Sequence, residues 1–159
     1  MTLLYLSPLS AEDQLALGLD HAQPMAIADR VRHTEIDILN HVNNRAYLDW
    51  GERLRVLYFD HLVWPVLGDV PRPRTVVHSL SVRFVEEILP GADYVATARI
   101  SAFRNSSYTM DQQVWSGGRL RARMEVVMVM LAPEGAGKVD LPEELRAVLV
   151  QRDGARDDR

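Results

Sequence analysis

The fold is decided by the stretch Arg45-Ala-Tyr-Leu-Asp-Trp-Gly-Glu-Arg-Leu-Arg-Val-Leu-Tyr-Phe-Asp-His-Leu62. Its large side chains recur every three or four residues, which is the spacing of one face of an α-helix. That face comprises Tyr47, Trp50, Leu54, Leu57, Tyr58 and His61. The pattern predicts a helix of about four to five turns. Because further apolar residues lie on its other sides, we expect the helix to be covered on more than one side.

Gly51 stands in the middle of this predicted helix. A glycine there costs roughly 1 kcal/mol relative to alanine. Either another part of the backbone comes close to the helix at this point, or the glycine is simply tolerated.

The segments around the helix have a period of two, which indicates strands. One strand precedes the helix, and a proline-rich connection over residues 64–73 separates the helix from the remaining strands. These fall at residues 25–33, 76–84, 94–102, 108–115 and 120–130. The order βαββββ predicts an α+β fold in which one antiparallel sheet wraps around one long helix.

Short additions flank the predicted domain of residues 25–150. Residues 1–24 form an N-terminal extension with a short helix that starts at Ser10. Another short helix is predicted near the C-terminus, with Asp140 as its N-cap and Pro142 in its first turn. Residues 151–159 are mostly charged, and we expect them to be a flexible tail.

Composition narrows the class of protein. The chain has 159 residues, of which 47% are hydrophobic, enough for a single domain with one core. A net charge of -4 gives no basic excess for nucleic acid or an anionic membrane. The absence of cysteine excludes disulfides, a thiol nucleophile and thiolate-bound metals. The N-terminus has no basic region, and its apolar run is interrupted, so we expect a cytoplasmic protein without a membrane span.

Chemically informative residues crowd the junction between the first strand and the helix. They are Glu35, Asp37, Asn40, His41, Asn43 and Asn44. Asn43 or Asn44 is suited to be the helix N-cap, which leaves other N–H groups of the first turn unpaired. Such a helix start favours negative charge, so it can stabilise the oxyanion formed when a thioester carbonyl is attacked.

Asp37 lies seven residues before Asn44, close enough for the loop to fold it back to the helix start. Its carboxylate can either attack the thioester carbon or take a proton from the attacking water. His41 can orient that water, contact the acyl oxygen or hold Asp37 in place. Among the other loop residues, Asn40 is one that adopts the left-handed backbone conformation readily.

The run Asp37-Ile-Leu-Asn-His-Val-Asn-Asn-Arg-Ala-Tyr-Leu-Asp-Trp-Gly-Glu52 resembles the signature of hotdog-fold thioesterases of the 4-hydroxybenzoyl-CoA and acyl-CoA thioesterase group. It is also similar to a run in plant acyl-acyl-carrier-protein thioesterases. The resemblance implies that Asp37 is the catalytic carboxylate, that the Asn44 N–H binds the thioester carbonyl and that His41 assists. Asn43 and Tyr47 are substrate-binding candidates. The chain departs from the signature at Asn40, where many members have glycine, and at Glu35, where many have aspartate.

The same resemblance implies a homodimer or homotetramer with each site at a subunit interface, and surface basic residues that bind the phosphates of coenzyme A. Candidates are Arg72, Arg74, Arg83, Arg104, Arg119, Arg121 and Lys138. The plant enzymes have two hotdog repeats and this chain has room for one, so we expect acyl-CoA rather than an acyl carrier protein as substrate. No cofactor and no metal is expected, although His33, Glu35 and Asp37 would share one face if the first strand extended to them.

Two other functions fit the same fold. One is a binding module that holds acyl-CoA without hydrolysing it. The other is an enoyl hydratase or dehydratase, which would also use a carboxylate with a histidine. The asparagine-rich helix start favours the thioesterase.

Overall fold

A computed structural model describes residues 3–135 and 137–159, so Met1 and Thr2 of the predicted extension lie outside the described residues. The helices are α1 (Ala11–Ala16), α2 (Asn44–Tyr58), α3 (Trp64–Leu67) and α4 (Glu143–Val148), and the strands are β1 (Met25–Arg30), β2 (Arg74–Phe84), β3 (Asp93–Phe103), β4 (Ser107–Ser116), β5 (Arg119–Leu131) and β6 (Arg156–Asp157). The main sheet is antiparallel in the order β1-β3-β4-β5-β2, and β6 pairs in parallel with β3. The sheet wraps around α2, so the predicted α+β hotdog architecture is confirmed.

Helix α2 packs its apolar face on the inner surface of the sheet, where Trp50 stacks on the Tyr94 ring at 3.9 Å. Gly51 allows close contact with the central strands, because a Cβ there would lie 3.1 Å from Gln112 Oε1 and 3.1 Å from the end of Met124. The buried Gln112 side chain donates to the Gly51 carbonyl at 2.9 Å. The structure therefore decides in favour of the close approach: a larger side chain would require the ends of Gln112 and Met124 to shift.

The helical path continues beyond α2 and past Leu62, where the predicted helix ends. A π-helical turn over Phe59–Val63 leads into α3. Trp64 and Pro65, predicted to belong to the connection, are therefore helical. Pro65 is tolerated because it lies in the first turn of α3, where its missing N–H is not needed.

The N-terminal extension covers the outer surface of the sheet next to β1. Ser10 caps α1 as predicted, accepting a hydrogen bond from the Asp13 N–H at 3.1 Å. Behind it, Leu19 and Trp115 belong to a second apolar cluster with residues of β1 and β3. Five of the six residues of β1 are consequently buried, and its alternating pattern does not produce alternating burial. The strand also ends at Arg30, earlier than the predicted residue 33.

The C-terminal residues, expected to be a flexible tail, are instead placed against the domain. A π-helical turn over Leu149–Asp153 follows α4, and β6 then joins the sheet. The buried Asp153 carboxylate accepts hydrogen bonds from the Tyr58 hydroxyl at 2.5 Å and the Ile100 N–H at 2.7 Å. The charge of residues 151–159 predicted that they would be exposed. The hydrogen-bond partners of Asp153 are distant in sequence, so no local pattern indicated that it is buried. The N-cap of α4 is Pro142 rather than the predicted Asp140.

None of the helices in the described part of the chain has both the length and the apolar character needed to cross a bilayer.

The buried tyrosines lead to a prediction about alkaline pH. Burial is the main cause that raises the pKa values of four tyrosines. The pKa of Tyr47 rises to about 12, and the pKa values of Tyr58, Tyr94 and Tyr108 rise further. Since the folded protein holds these protons more tightly than the unfolded chain, this part of the stability is complete below pH 10 and falls as the pH rises. For Tyr47 the loss between pH 10 and 12 is roughly 2–3 kcal/mol.

We therefore expect phenolate absorbance at 295 nm to stay low near pH 10 and to rise at higher pH together with the loss of secondary structure. Independent titration of the four tyrosines near pH 10, with the circular dichroism unchanged, would contradict this prediction.

Candidate active site

The loop that carries Asp37 is a tight turn closed by backbone hydrogen bonds. Ile36 and Val42 form an isolated bridge, and the Asp37 N–H donates to the His41 carbonyl at 3.0 Å. Asn40 has a φ of 61°, in the left-handed region, as its residue type suggested. The turn brings residues 37 and 41 opposite one another just before α2.

The Asp37 carboxylate is held from two sides. Its Oδ1 accepts the Leu39 N–H at 2.9 Å, and its Oδ2 lies 3.5 Å from His41 Nδ1. About a quarter of each of the Asp37 and His41 side chains is exposed. The Leu39 N–H fixes the orientation of the carboxylate, and the side chain stays partly exposed, as a base or nucleophile requires.

Asn43 is the N-cap of α2, and Asn44 is its first helical residue. The Asn43 side-chain oxygen accepts the Arg45 N–H at 2.9 Å, and the Asn43 N–H donates to the Glu35 carbonyl at 2.7 Å. The structure thus selects between the two asparagines that the sequence left open. Within the described residues the Asn44 N–H makes no hydrogen bond. It is available to an external acceptor at the positive end of the helix dipole.

A shallow cavity of about 190 Å³ lies at this helix start. It is lined by His41, Val42, Asn44, Tyr47, Phe84, Val85, Glu86 and Glu87. Three of the predicted site residues, His41, Asn44 and Tyr47, therefore share one cavity. Asp37 does not line it but lies against His41, with Oδ2 3.5 Å from Nδ1. The Tyr47 ring, 5.2 Å from that of Phe84, provides an aromatic wall. Asn43 is exposed, and its side-chain oxygen is engaged in the cap.

Glu35 stabilises the turn through hydrogen bonds to its carboxylate. Its carboxylate accepts hydrogen bonds from the Trp50 indole N–H and the Arg32 N–H, both at 2.8 Å. Because β1 ends at Arg30 and residues 33–35 form a 3₁₀ turn, His33, Glu35 and Asp37 do not share a strand face. Within residues 3–135 and 137–159, no three His, Asp or Glu side chains are grouped closely enough to hold a metal ion.

Two of the arginines proposed to bind phosphate are already paired. Arg119 and Arg121 both bind the carboxylate of Glu86, at the edge of the cavity. Arg72 lies over the Trp64 ring, 5.1 Å from its centroid. A phosphate would have to compete with the Glu86 carboxylate for Arg119 and Arg121.

A second cavity, which no sequence pattern indicated, lies between the far end of α2 and the start of β2. Its volume is about 260 Å³, and its lining is Glu52, Arg55, Val56, Phe59, Asp60, Trp64, Thr75, Val77 and Met128. Sequence patterns placed most of these residues in the helix, in the proline-rich connection and in two separate strands. No sequence signal linked them, because the cavity exists only where the two elements meet.

An antiparallel sheet in this strand order around one long helix is the hotdog fold, and comparisons with known proteins identify the family. Residues 31–149 match the model of the thioesterase-like superfamily. A thioesterase superfamily structure from Jannaschia is 35% identical, covers 95% of this chain and 96% of that one, and superposes with a TM-score of 0.85. A Thermus thermophilus thioesterase, solved with coenzyme A and zinc, is 30% identical over 83% of this chain and 96% of that one, with a TM-score of 0.70.

The probable thioesterase YbaW from Escherichia coli is 20% identical over 81% of this chain and 98% of that one, with a TM-score of 0.71, and this likeness shows the fold alone. A search among curated protein sequences finds no match. The chain belongs to the thioesterase-like superfamily. It is a thioester hydrolase.

Proposed function

We propose that the protein hydrolyses acyl-coenzyme A thioesters at the start of α2. The observation that carries this proposal is the Asp37–His41 pair at 3.5 Å, next to a helix start whose first N–H, that of Asn44, is free within the described residues. The Thermus relative was solved with coenzyme A, which supports CoA as the carrier. The resemblance to the 4-hydroxybenzoyl-CoA group belongs to this proposal.

In the proposed reaction the thioester carbonyl oxygen accepts the Asn44 N–H. Asp37 takes a proton from water, and the resulting hydroxide adds to the carbonyl carbon. The oxyanion is stabilised by the helix start more strongly than the ground state is, which lowers the barrier. Collapse breaks the carbon–sulfur bond, and the departing thiolate takes the proton held by Asp37, which gives free CoA and restores the carboxylate.

Alternatively, Asp37 attacks the carbon directly and forms a mixed anhydride, which water then cleaves. Single turnover in ¹⁸O-labelled water reveals the anhydride route when water cleaves the anhydride at the aspartyl carbonyl, because only then does the label enter the aspartate.

We further propose that the active protein is a homodimer that pairs through β2. This strand forms one edge of the sheet, and most of its residues are exposed, including several large apolar ones. Those are Val76, Val77, Leu80 and Phe84. A long, exposed, apolar edge strand is a liability in a monomer and a template for pairing with a second copy. Leu48 and Val56 on α2 extend the exposed apolar surface next to it.

Antiparallel pairing of two β2 strands, centred near Ser79, would set Phe84 of one copy beside Arg74 of the other. The helix-start cavity lies at the Phe84 end, and the second cavity lies at the Thr75 end. The dimer would therefore join the Asp37 loop of one protomer to the second cavity of its partner. Ile38 is fully exposed and Leu39 is 69% exposed in the single chain, and they would gain a covering surface at this junction.

The proposed function is tested by a thiol-release assay across acyl-CoAs of short, long and aromatic chains. We expect release of free CoA and of the unmodified carboxylic acid. Saturable binding without thiol release would indicate a binding module. An acyl-CoA product whose mass has changed by one water would indicate a hydratase or dehydratase.

Replacing His41 with Ala should slow hydrolysis by roughly 10- to 100-fold without stopping it. The imidazole contacts Asp37 from one side only, and the Leu39 N–H still holds the carboxylate, so orientation is weakened rather than lost. The measurement is kcat with the best substrate of the panel. An unchanged kcat would show that His41 has only a structural role in the turn. His61→Ala is the matched control, because His61 is exposed and lines neither of these two cavities.

A further inference from the structure

A third cavity, here called the outer cavity, lies on the surface of the sheet that faces away from α2. Its volume is about 450 Å³. Four polar side chains on three neighbouring strands line it: Arg99 of β3, Asp111 and Gln113 of β4, and Arg123 of β5. These residues alternate along their strands with residues of the core, so their side chains point to the outer surface. Residues 21–24 and 152–154 complete the lining.

Gln113 presents a largely buried amide to the outer cavity. The residue is 9% exposed, and its side-chain oxygen accepts the Trp115 indole N–H at 2.9 Å. Because an indole nitrogen can only donate, this bond fixes the orientation of the amide and directs its NH₂ group away from Trp115. Within the described residues the NH₂ group makes no hydrogen bond, and it is not among the fully buried groups. Gln113 therefore offers the cavity an oriented donor that has no acceptor.

Arg99 and Arg123 flank the Asp111 carboxylate without forming hydrogen bonds to it. Arg99 Nε lies 3.7 Å from Asp111 Oδ2, and Arg123 Nε lies 3.7 Å from Asp111 Oδ1. Both distances exceed that of a hydrogen bond. Arg99 Nη1 donates to the Asp153 carbonyl at 3.2 Å, and Arg123 makes no hydrogen bond within the described residues. Most donors of the two guanidinium groups are therefore available to a ligand.

Arg152 also lines the outer cavity, but its donors are engaged. Its guanidinium donates to the buried Asp153 carboxylate, the Leu62 carbonyl and the Tyr58 hydroxyl, each at 2.7 Å. The charges of Arg152 and Asp153 cancel. This pair therefore holds the C-terminal turn in place and leaves ligand binding to the other residues of the lining.

The remaining charges of the outer cavity favour an anion. Arg99 and Arg123 face a single carboxylate, that of Asp111, so one positive charge is in excess. Next to the cavity on the same surface, Arg83 of β2 and Glu125 of β5 carry opposite charges that balance. A positive excess at this place contrasts with the net charge of -4 of the whole chain.

A phosphate group fits these donors better than a carboxylate does. Its tetrahedral oxygens accept hydrogen bonds from several directions, which suits donors placed on three strands, whereas the two oxygens of a carboxylate lie in one plane. A phosphate ester of the monoester type also carries a charge of about -1.5 to -2 at pH 7. It can therefore compete with the single charge of Asp111 for the two arginines.

We propose that the outer cavity is a binding site for the phosphate group of a small phosphate ester. The Gln113 NH₂ group and the guanidinium groups of Arg99 and Arg123 donate to the phosphate oxygens. The site is separate from that of the proposed function, because Asp37 and His41 lie at the start of α2, on the other side of the sheet. The phosphate comes either from a free phosphate ester or from the nucleotide part of coenzyme A, and the test separates these two sources.

The test follows the ¹H–¹⁵N signals of the Gln113 side-chain NH₂ group while inorganic phosphate is added at constant ionic strength. We expect a saturable shift in the wild-type protein. Arg123→Gln removes one exposed guanidinium and should raise the dissociation constant for phosphate about 10- to 100-fold. Arg104→Gln is the matched control, because Arg104 is exposed in the β3–β4 turn outside the cavity. It should bind phosphate as the wild type does.

Gln113→Glu is a second variant. It keeps an oxygen for the Trp115 indole and replaces the free donor with a negatively charged oxygen, so phosphate binding, followed through backbone signals, should be lost. Thermal midpoints show whether each variant is folded. If Gln113→Glu does not fold, Arg123→Gln still decides, since its position is exposed.

Adenosine 3′,5′-bisphosphate, a part of coenzyme A, identifies the source of the phosphate. If Arg123→Gln weakens its binding and raises KM for acyl-CoA, the coenzyme occupies the site. If Arg123→Gln weakens only the binding of inorganic phosphate, the ligand is a free phosphate ester. A wild-type protein without a saturable shift, or an Arg123→Gln protein that binds phosphate as tightly as the wild type, would overturn the proposal. Neither result depends on thiol release, so the proposed function is judged separately.

Discussion

Asp37→Asn should lower kcat by about 10² to 10⁴, because the amide can neither take a proton from water nor attack the thioester carbon. The substituted side chain has nearly the same shape, and its oxygen can still accept the Leu39 N–H that now binds Oδ1. The fold and CoA binding should therefore persist. The measurement is kcat from thiol release, together with the thermal midpoint and the affinity for CoA.

The control is Asp49→Asn, which makes the same chemical change at an exposed position on α2. It should leave kcat, the thermal midpoint and CoA affinity at their wild-type values. If Asp37→Asn retained full activity, the assignment of Asp37 would be wrong, and another carboxylate would have to be sought. A lower thermal midpoint would instead show that the turn itself depends on the charge.

Leu80→Glu should convert the dimer to a monomer and remove most of the activity. Leu80 is exposed in the single chain, so a glutamate there can remain hydrated and the isolated protomer should still fold. In the proposed dimer two such carboxylates would lie near the twofold axis, and like charges at an interface cost several kcal/mol. At about 1.4 kcal/mol for each factor of ten, a cost of 3 kcal/mol weakens association roughly 100-fold.

Sedimentation across a range of protein concentrations measures this association. The matched control is Val150→Glu, because Val150 is also exposed but lies in the C-terminal π-helical turn, outside β2. The control should remain dimeric and active. A Leu80→Glu protein that stays dimeric would show that the copies meet elsewhere, and an active monomer would show that one chain contains a complete site.

Local patterns were sufficient to predict the helix and the strands. The recurrence of Tyr47, Trp50 and Leu54 is a property of one short segment, and it placed α2 close to its observed bounds. The turn was predictable for the same reason, since Asn40 has a residue type that tolerates positive φ. The asparagine N-cap was also expected, and only the choice between Asn43 and Asn44 required the structure.

Predictions failed where the deciding partner is distant in sequence. The charged C-terminal residues are packed because the Asp153 carboxylate accepts hydrogen bonds from Tyr58 of α2 and Ile100 of β3. The burial of β1 on both faces depends on the N-terminal extension. Arg53 of α2 likewise binds Asp29 of β1 at 3.0 Å, a partner that no local pattern indicates.

The sequence by itself determined the hotdog order of elements and brought Asp37, His41 and Asn44 together, because one tight turn and one helix start lie within eight consecutive residues. Only the tertiary structure created the second cavity. Its lining joins Arg55 of α2, Thr75 of β2 and Met128 of β5, which are tens of residues apart and carry no common local pattern. Capping and periodicity act over a few residues, whereas the shape and polarity of a cavity depend on how whole elements pack.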